Sequence, residues 1–163
     1  SQEKADFVFT TSPNAPVLLG AMSPPGEEAE GVGWFNNAGI GWDEQGLAQG
    51  GFGFITFTHE LGHGMGMAHP HDNGGVSMVM QGVENDQDAG DFGMNQGVHT
   101  VMTYYDGWPE GPDGQSPSDN YGWQGTLMAF DVAVLQDKYG ANMDYMTGDD
   151  TYVLPVEDAP GTL

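Results

Sequence analysis

The sequence predicts an α+β fold, and three observations carry that expectation. The first third holds three short apolar runs broken by Gly, Pro and acidic residues, the pattern of strands and loops. Two later stretches, 50–66 and 126–140, repeat apolar residues every three or four positions, which is helical spacing. Finally, 27 glycines and 10 prolines in 163 residues demand many turns and long irregular connections rather than a helical bundle. That length suits one domain with a reasonable core.

The first strand is expected in "ADFVFTT", 5–11, a short apolar run fit for burial. A second run covers 17–22 and stops before Pro24-Pro25, which an edge strand tolerates best. After the solvated acidic loop "GEEAEG", the third strand is "GVGWFNN", 31–37. In the helix that follows, Phe54, Phe57, Leu61 and Met65 share one face, and Gly66 is a natural end. Residues 70–125 read as one long irregular stretch; inside a domain such a stretch is usually functional or held by ions. The last helix, 126–140, shows a broad apolar face of Leu127, Met128, Phe130, Val132, Val134, Leu135 and Tyr139, closed by Gly140. The tail from 146 is polar and extended, and no internal repeat occurs.

Charge narrows the function classes. The chain sets 24 Asp and Glu against Lys4 and Lys138, with no arginine, for a net charge of −22. A basic nucleic-acid footprint is thereby excluded, and docking on anionic lipid is disfavoured. What remains is a solvated acidic surface, calcium sites, or adaptation to salt. No cysteine is present, so neither disulfides nor thiolate zinc sites arise. No apolar run is long enough for a membrane-spanning helix. The first residues lack the basic-then-apolar pattern of a secretory signal.

Chemistry concentrates in "FTHELGHGMGMAHPHD", 57–72. On a helix, His59 and His63 project from one face, and two such imidazoles bind one Zn²⁺ at about 2.0–2.1 Å. Glu60, beside the first, can reach a water at that metal without coordinating. His69 joins them only if the chain turns sharply, and Gly66 can supply the positive φ for that turn. The result, "HELGHGMGMAH", fills every fixed position of HExxHxxGxxH, the metzincin motif. Met102 follows 33 residues after His69, with Tyr104 two positions later.

The set resembles the serralysin branch of the metzincins. "TFTHELGH", Pro70 after the third histidine, the Met102-Thr103-Tyr104 spacing and the late helix "MAFDVAVLQDKYGAN" carry the likeness. It is firm from about 56 to 142 and looser before that. The resemblance implies a metzincin-like core: a small twisted mixed sheet, an active-site helix, a methionine turn and a C-terminal helix. It implies His59, His63 and His69 as zinc ligands and Glu60 as the general base. Gly66 would turn the chain and Met102 would floor the site. Tyr104 would ligate zinc at rest and swing away to hydrogen-bond the tetrahedral intermediate; Tyr105 competes for this role, and spacing favours Tyr104. Val17, Leu18, Leu19, Gly20, Ala21 and Met22 would form the edge along which an extended substrate pairs.

These readings make the chain a zinc-dependent endopeptidase cutting internal bonds of extended polypeptides, secreted to the extracellular space by bacterial-type export. The alternative is a non-catalytic, calcium-dependent extracellular module with a structural zinc site, against which an intact Glu60 argues. Residues 1–142 would be the catalytic core and 143–163 the start of a lost calcium-binding β-roll, with Ca²⁺ as structural partner. Metzincin catalytic domains begin with two strands and a long helix before the strand matched by "ADFVFTT", where four residues stand here. A longer precursor, a nicked half awaiting its complementary fragment, or a minimal form would each account for this. Glu84, Asp86, Asp88 and Asp91 gather in one loop but depart from EF-hand spacing. His71 is expected to be solvated or capping, and His99 to hydrogen-bond within the methionine-turn loop. Met65, Met67, Met78 and Met80 are expected to pack.

Overall fold

The computed structural model describes residues 5–14, 18–73 and 77–151. Three strands form one mixed sheet: β1 (Val8–Ser12), β2 (Gly20–Met22) and β3 (Val32–Asn36). The spatial order is β1-β3-β2, with β1 parallel to β3 and β2 antiparallel to it. The expected strand at 17–22 is thus shortened to its second half, and Val17 lies outside the described residues. Pairing still reaches Leu19, whose carbonyl accepts the Asn36 N–H at 2.9 Å.

Central β3 alternates in burial, and its Phe35 is almost wholly enclosed. Phe35 stacks on Phe57 of helix α1 (Phe52–Gly64), ring centroids 5.1 Å apart, and Phe9 closes on the same ring. These aromatic contacts seat α1 on the sheet. The expected apolar stripe of Phe54, Phe57, Leu61 and Met65 is only half-buried. The deeply buried positions are Gly53, Ile55, His59, Glu60, Gly62 and Gly64, because the helix is also covered from its opposite side.

That second cover is the core of Ile55, Met67, Val101, Met102 and Trp123, with Phe52, Leu127, Met128 and Leu135 against it. Helix α2 (Ala129–Tyr139) begins later than the apolar pattern suggests. The Asp131 carboxylate accepts the Met128 N–H at 2.8 Å and so fixes the first turn there. Its expected apolar face is divided: Leu127, Met128, Phe130 and Leu135 are half-buried, Val132, Val134 and Tyr139 are exposed, and Asp131 is the fully buried residue of the helix. The helix is anchored by a polar link as much as by packing.

The stretch 70–125 contains a single 3-10 turn, Asp91–Gly93, as regular structure among its described residues. It is held by hydrogen bonds instead. Gly97 and Val98 donate to the carbonyls of Tyr105 and Gly107, and the Asn95 amide donates to the Asp88 carbonyl. Residues 143–151 are exposed and irregular, and the rest of the expected tail lies outside the described residues. No helix among the described residues is long and apolar enough to cross a membrane.

Candidate metal centre

Helical spacing puts the His59 and His63 rings on one face of α1, centroids 4.9 Å apart. The helix then ends abruptly. Gly66 adopts φ +79°, and Met67 N–H reaches back to the Gly62 carbonyl at 2.9 Å, closing a Schellman-type turn. The reversed chain delivers His69, whose Nε2 stands 3.1 Å from that of His59 and 3.0 Å from that of His63.

The other nitrogen of each ring is occupied. Nδ1 of His59 faces the Val101 carbonyl at 2.7 Å, Nδ1 of His63 the Met67 carbonyl at 3.0 Å, and Nδ1 of His69 the Asp72 carboxylate at 2.5 Å. Those acceptors fix the protonated nitrogen as Nδ1 and leave the Nε2 lone pairs aimed at one another. Burial, reinforced by the neighbouring imidazoles, pushes His59 down to about 3 and lowers His63 as well, so both are neutral at pH 7. Three ring nitrogens turned lone pair to lone pair repel unless a cation joins them. Tetrahedral Zn²⁺ separates two bonded imidazole nitrogens by about 3.3 Å, close to the spacing here. The donor set therefore fits zinc.

Glu60 is buried and has no charged partner among the described residues; burial pushes its carboxyl up to about 7. Met102, 2% exposed, lies under the helix where Gly62 has no side chain; a Cβ there would collide with its sulfur. The Tyr104 ring rests 5.6 Å from that of His59 and 4.5 Å from that of His69. Burial, together with the charges of Glu60 and Asp72, pushes its phenol above the usual range. Tyr105 makes no ring contact with the histidines.

No protein-family model matches the chain. Individual proteins do. Serralysin C of Dickeya chrysanthemi is 32% identical over 142 residues, covering 81% of this chain and 25% of its own length. Serralysin of Proteus mirabilis is 30% identical over 161 residues, covering 93% of this chain and 30% of its own length. Metallopeptidase AprA of Pseudomonas marginalis is 34% identical over 109 residues, or 62% of this chain and 20% of its own. This chain is a serralysin-like metzincin protease region. It spans under a third of the length of the curated relatives it matches.

In this serralysin-like region, the cleft beside the histidines holds about 240 Å³ between β2, α1 and the loop after Met102. Of the segment expected to bind substrate, Leu18, Leu19 and Gly20 line it beside Glu60. Gly20 has to be small, since a Cβ would stand 2.8 Å from Glu60 Cγ. Ala21 and Met22 instead line a separate depression, and Met22 packs against Gly33 and Gly64. Asp106 also lines the cleft, and burial pushes its carboxyl up to about 7.

Other expectations are corrected. His71 is not a solvated loop residue: its ring lies 4.9 Å from that of His69 at 9°, and its Nδ1 is buried without a hydrogen-bond partner among the described residues. Proximity to His69, two residues away, imposes that stacking. Met67 packs in the core as expected, whereas Met78 is 87% exposed. His99 donates its backbone N–H to the Gln96 carbonyl within the loop and stacks on Phe130. Among the described residues, three or more ligating atoms gather within 4.8 Å in two places: His59, His63 and His69, and His69, His71 and Asp72. The second shares His69, whose Nδ1 is already engaged by Asp72, so it reads as the outer support of the first. The acidic loop at 84–91 is in neither group; Asp88 there accepts the N–H groups of Glu84 and Gly90.

One positioning residue escaped the sequence reading. Asp131 of α2 accepts the Val101 N–H at 2.9 Å and the Thr100 hydroxyl at 2.6 Å. It thereby orients the peptide whose carbonyl holds His59. A lone acidic residue within "MAFDVAV" was the available signal.

Proposed function

We propose that this region is the core of a zinc-dependent endopeptidase that hydrolyses internal bonds of extended polypeptides. One observation carries the reading: three Nε2 atoms converge, each backed by an anchored Nδ1, beside a buried carboxylate with no charged partner. His59, His63 and His69 would hold the ion. When bound there, zinc supplies Lewis-acid polarisation of a carbonyl and a more acidic water.

The chain's own groups perform the rest. Glu60 accepts a proton from the attacking water at its carboxylate and later delivers it to the leaving amine; a pKa of about 7 suits both transfers at neutral pH. The Tyr104 hydroxyl, carried on a ring that packs against His59 and His69, donates a hydrogen bond to the oxygen that gains charge as the carbonyl is attacked. Strand β2 has a partner on one side only among the described residues, which leaves an edge for an extended peptide. Met102 and Gly66 shape the site without touching the reactants. Residues 1–142 as catalytic core and 143–163 as the extended start of a calcium-binding β-roll, Ca²⁺ as structural partner, and extracellular action belong to the same reading. The acidic charge is compatible with them.

A purely structural zinc site is disfavoured by Glu60, because a buried lone carboxylate beside it weakens the fold for no structural return. Cleavage of a quenched unfolded protein, with and without a zinc chelator, tests the reading. Chelator-sensitive cleavage restored by zinc supports it. One bound zinc with no turnover would overturn it in favour of the structural site.

A further inference from the structure

We propose that the cleft beside Glu60 selects a basic side chain, lysine or arginine, at a residue flanking the scissile bond, and that Asp106 is its receptor. This rests on the protease reading above and adds a substrate class to it. The cleft's 240 Å³ is below the roughly 300–1,000 Å³ of pockets that enclose whole ligands, so it suits a single side chain. Leu18, Leu19, Phe52 and Ile55 offer apolar wall for a methylene stem. Among the lining residues only Glu60 and Asp106 carry carboxylates, and Glu60 is committed to proton transfer.

Asp106 is held in place by its neighbours. Gly97 N–H donates to the Tyr105 carbonyl at 3.0 Å, Val98 N–H to the Gly107 carbonyl at 2.9 Å, and the Gln115 amide to the Asp106 carbonyl at 3.0 Å. Its carboxylate, by contrast, has no hydrogen-bond or ion-pair partner among the described residues. A half-buried carboxylate left unpaired on a cleft wall is stabilised by an opposite charge brought against it. The described part of the chain offers no such cation: there is no arginine, and Lys138 lies against Gly66 on the wall of other depressions. A cationic side chain brought by the substrate completes the pair. The net charge of −22 also draws cationic peptides from a distance.

The test is competitive cleavage by the zinc-loaded chain of peptide pairs differing only in Lys, Arg, norleucine or Gln at each residue flanking the bond. Competition in one reaction reports a ratio of kcat/KM values, which is independent of how much enzyme is folded. Wild type is expected to favour Lys and Arg over norleucine by at least about tenfold at one flanking position, and Asp106→Asn to bring that ratio within about threefold. Indifference between Lys and norleucine, a preference for Gln, or an unchanged ratio in Asp106→Asn overturns the assignment of Asp106. Absence of chelator-sensitive cleavage from every peptide overturns the protease reading itself, and the two failures are thereby distinguishable.

Discussion

The carboxylate of Asp131 holds the Val101 peptide by its N–H at 2.9 Å, while the carbonyl of Val101 takes the Nδ1 proton of His59 at 2.7 Å. A buried acid on the last helix thus sets the ring angle of a histidine on the first. Asp131→Asn loses at least one of its three charge-assisted acceptor bonds, each worth about 1.5–3 kcal/mol. The expected outcome is a stability loss of about 2–3 kcal/mol in urea melts and a zinc affinity about 10–100-fold weaker. Zinc titration of the folded variant decides: unchanged affinity would mean that Asp131 serves the fold alone.

Glu60 carries a pH prediction. Its carboxyl is raised to about 7 in the fold from an ordinary 4.5, so the folded chain holds a proton that the unfolded chain releases. In metal-free protein this contribution is fully present below about pH 4.5 and is lost as pH rises through about 7. Glu60→Gln does not ionise, so its melting temperature should gain on wild type between pH 5 and 8. The same variant should bind zinc and lose about 10²–10⁴-fold in turnover. A gap in melting temperature that stays flat with pH would contradict the burial account.

Much of the site was legible because its residues are fixed by local spacing. A four-residue step on a helix and a glycine-enabled reversal bring His59, His63 and His69 together, whatever the rest of the chain does. Tyr104 and Met102 needed the family likeness, since the 32 residues between His69 and Met102 say nothing of where a loop returns. Asp131 was illegible for a different reason: a buried acid and a solvated one are the same letter, and only tertiary partners separate them. Val132, Val134 and Tyr139 of α2 misled in the opposite way, because apolar spacing reports a capacity to pack and not the presence of a neighbour. Leu18, Leu19 and Gly20 were separable from Ala21 and Met22 only once β2 was seen to begin, at Gly20, beside Glu60.

Gly62 is where helix propensity and packing oppose each other. Alanine there would gain up to about 1 kcal/mol of helix propensity. Its methyl, however, would meet the sulfur of Met102 and stand 2.9 Å from Met67 Cε, both in the core beneath the histidines. Overpacking of that kind costs about 1–3 kcal/mol, so the net effect of Gly62→Ala is a loss. Urea denaturation with and without zinc should show a lower midpoint in both. A raised midpoint would refute the close approach.

The two adjacent tyrosines separate by substitution. Tyr104 lies with its ring on His59 and His69, while Tyr105 contributes its backbone, accepting from Gly97 and donating to the Thr103 hydroxyl. A hydroxyl that stabilises charge only as the carbonyl is attacked affects kcat more than KM. Tyr104→Phe should therefore lower kcat by about 10²-fold while KM moves little, a loss of the size seen when one oxyanion donor is removed. Tyr105→Phe keeps every backbone bond and should stay within about twofold in both constants. Steady-state kinetics on one peptide would settle the pair; a larger kcat loss in Tyr105→Phe would transfer the role to Tyr105.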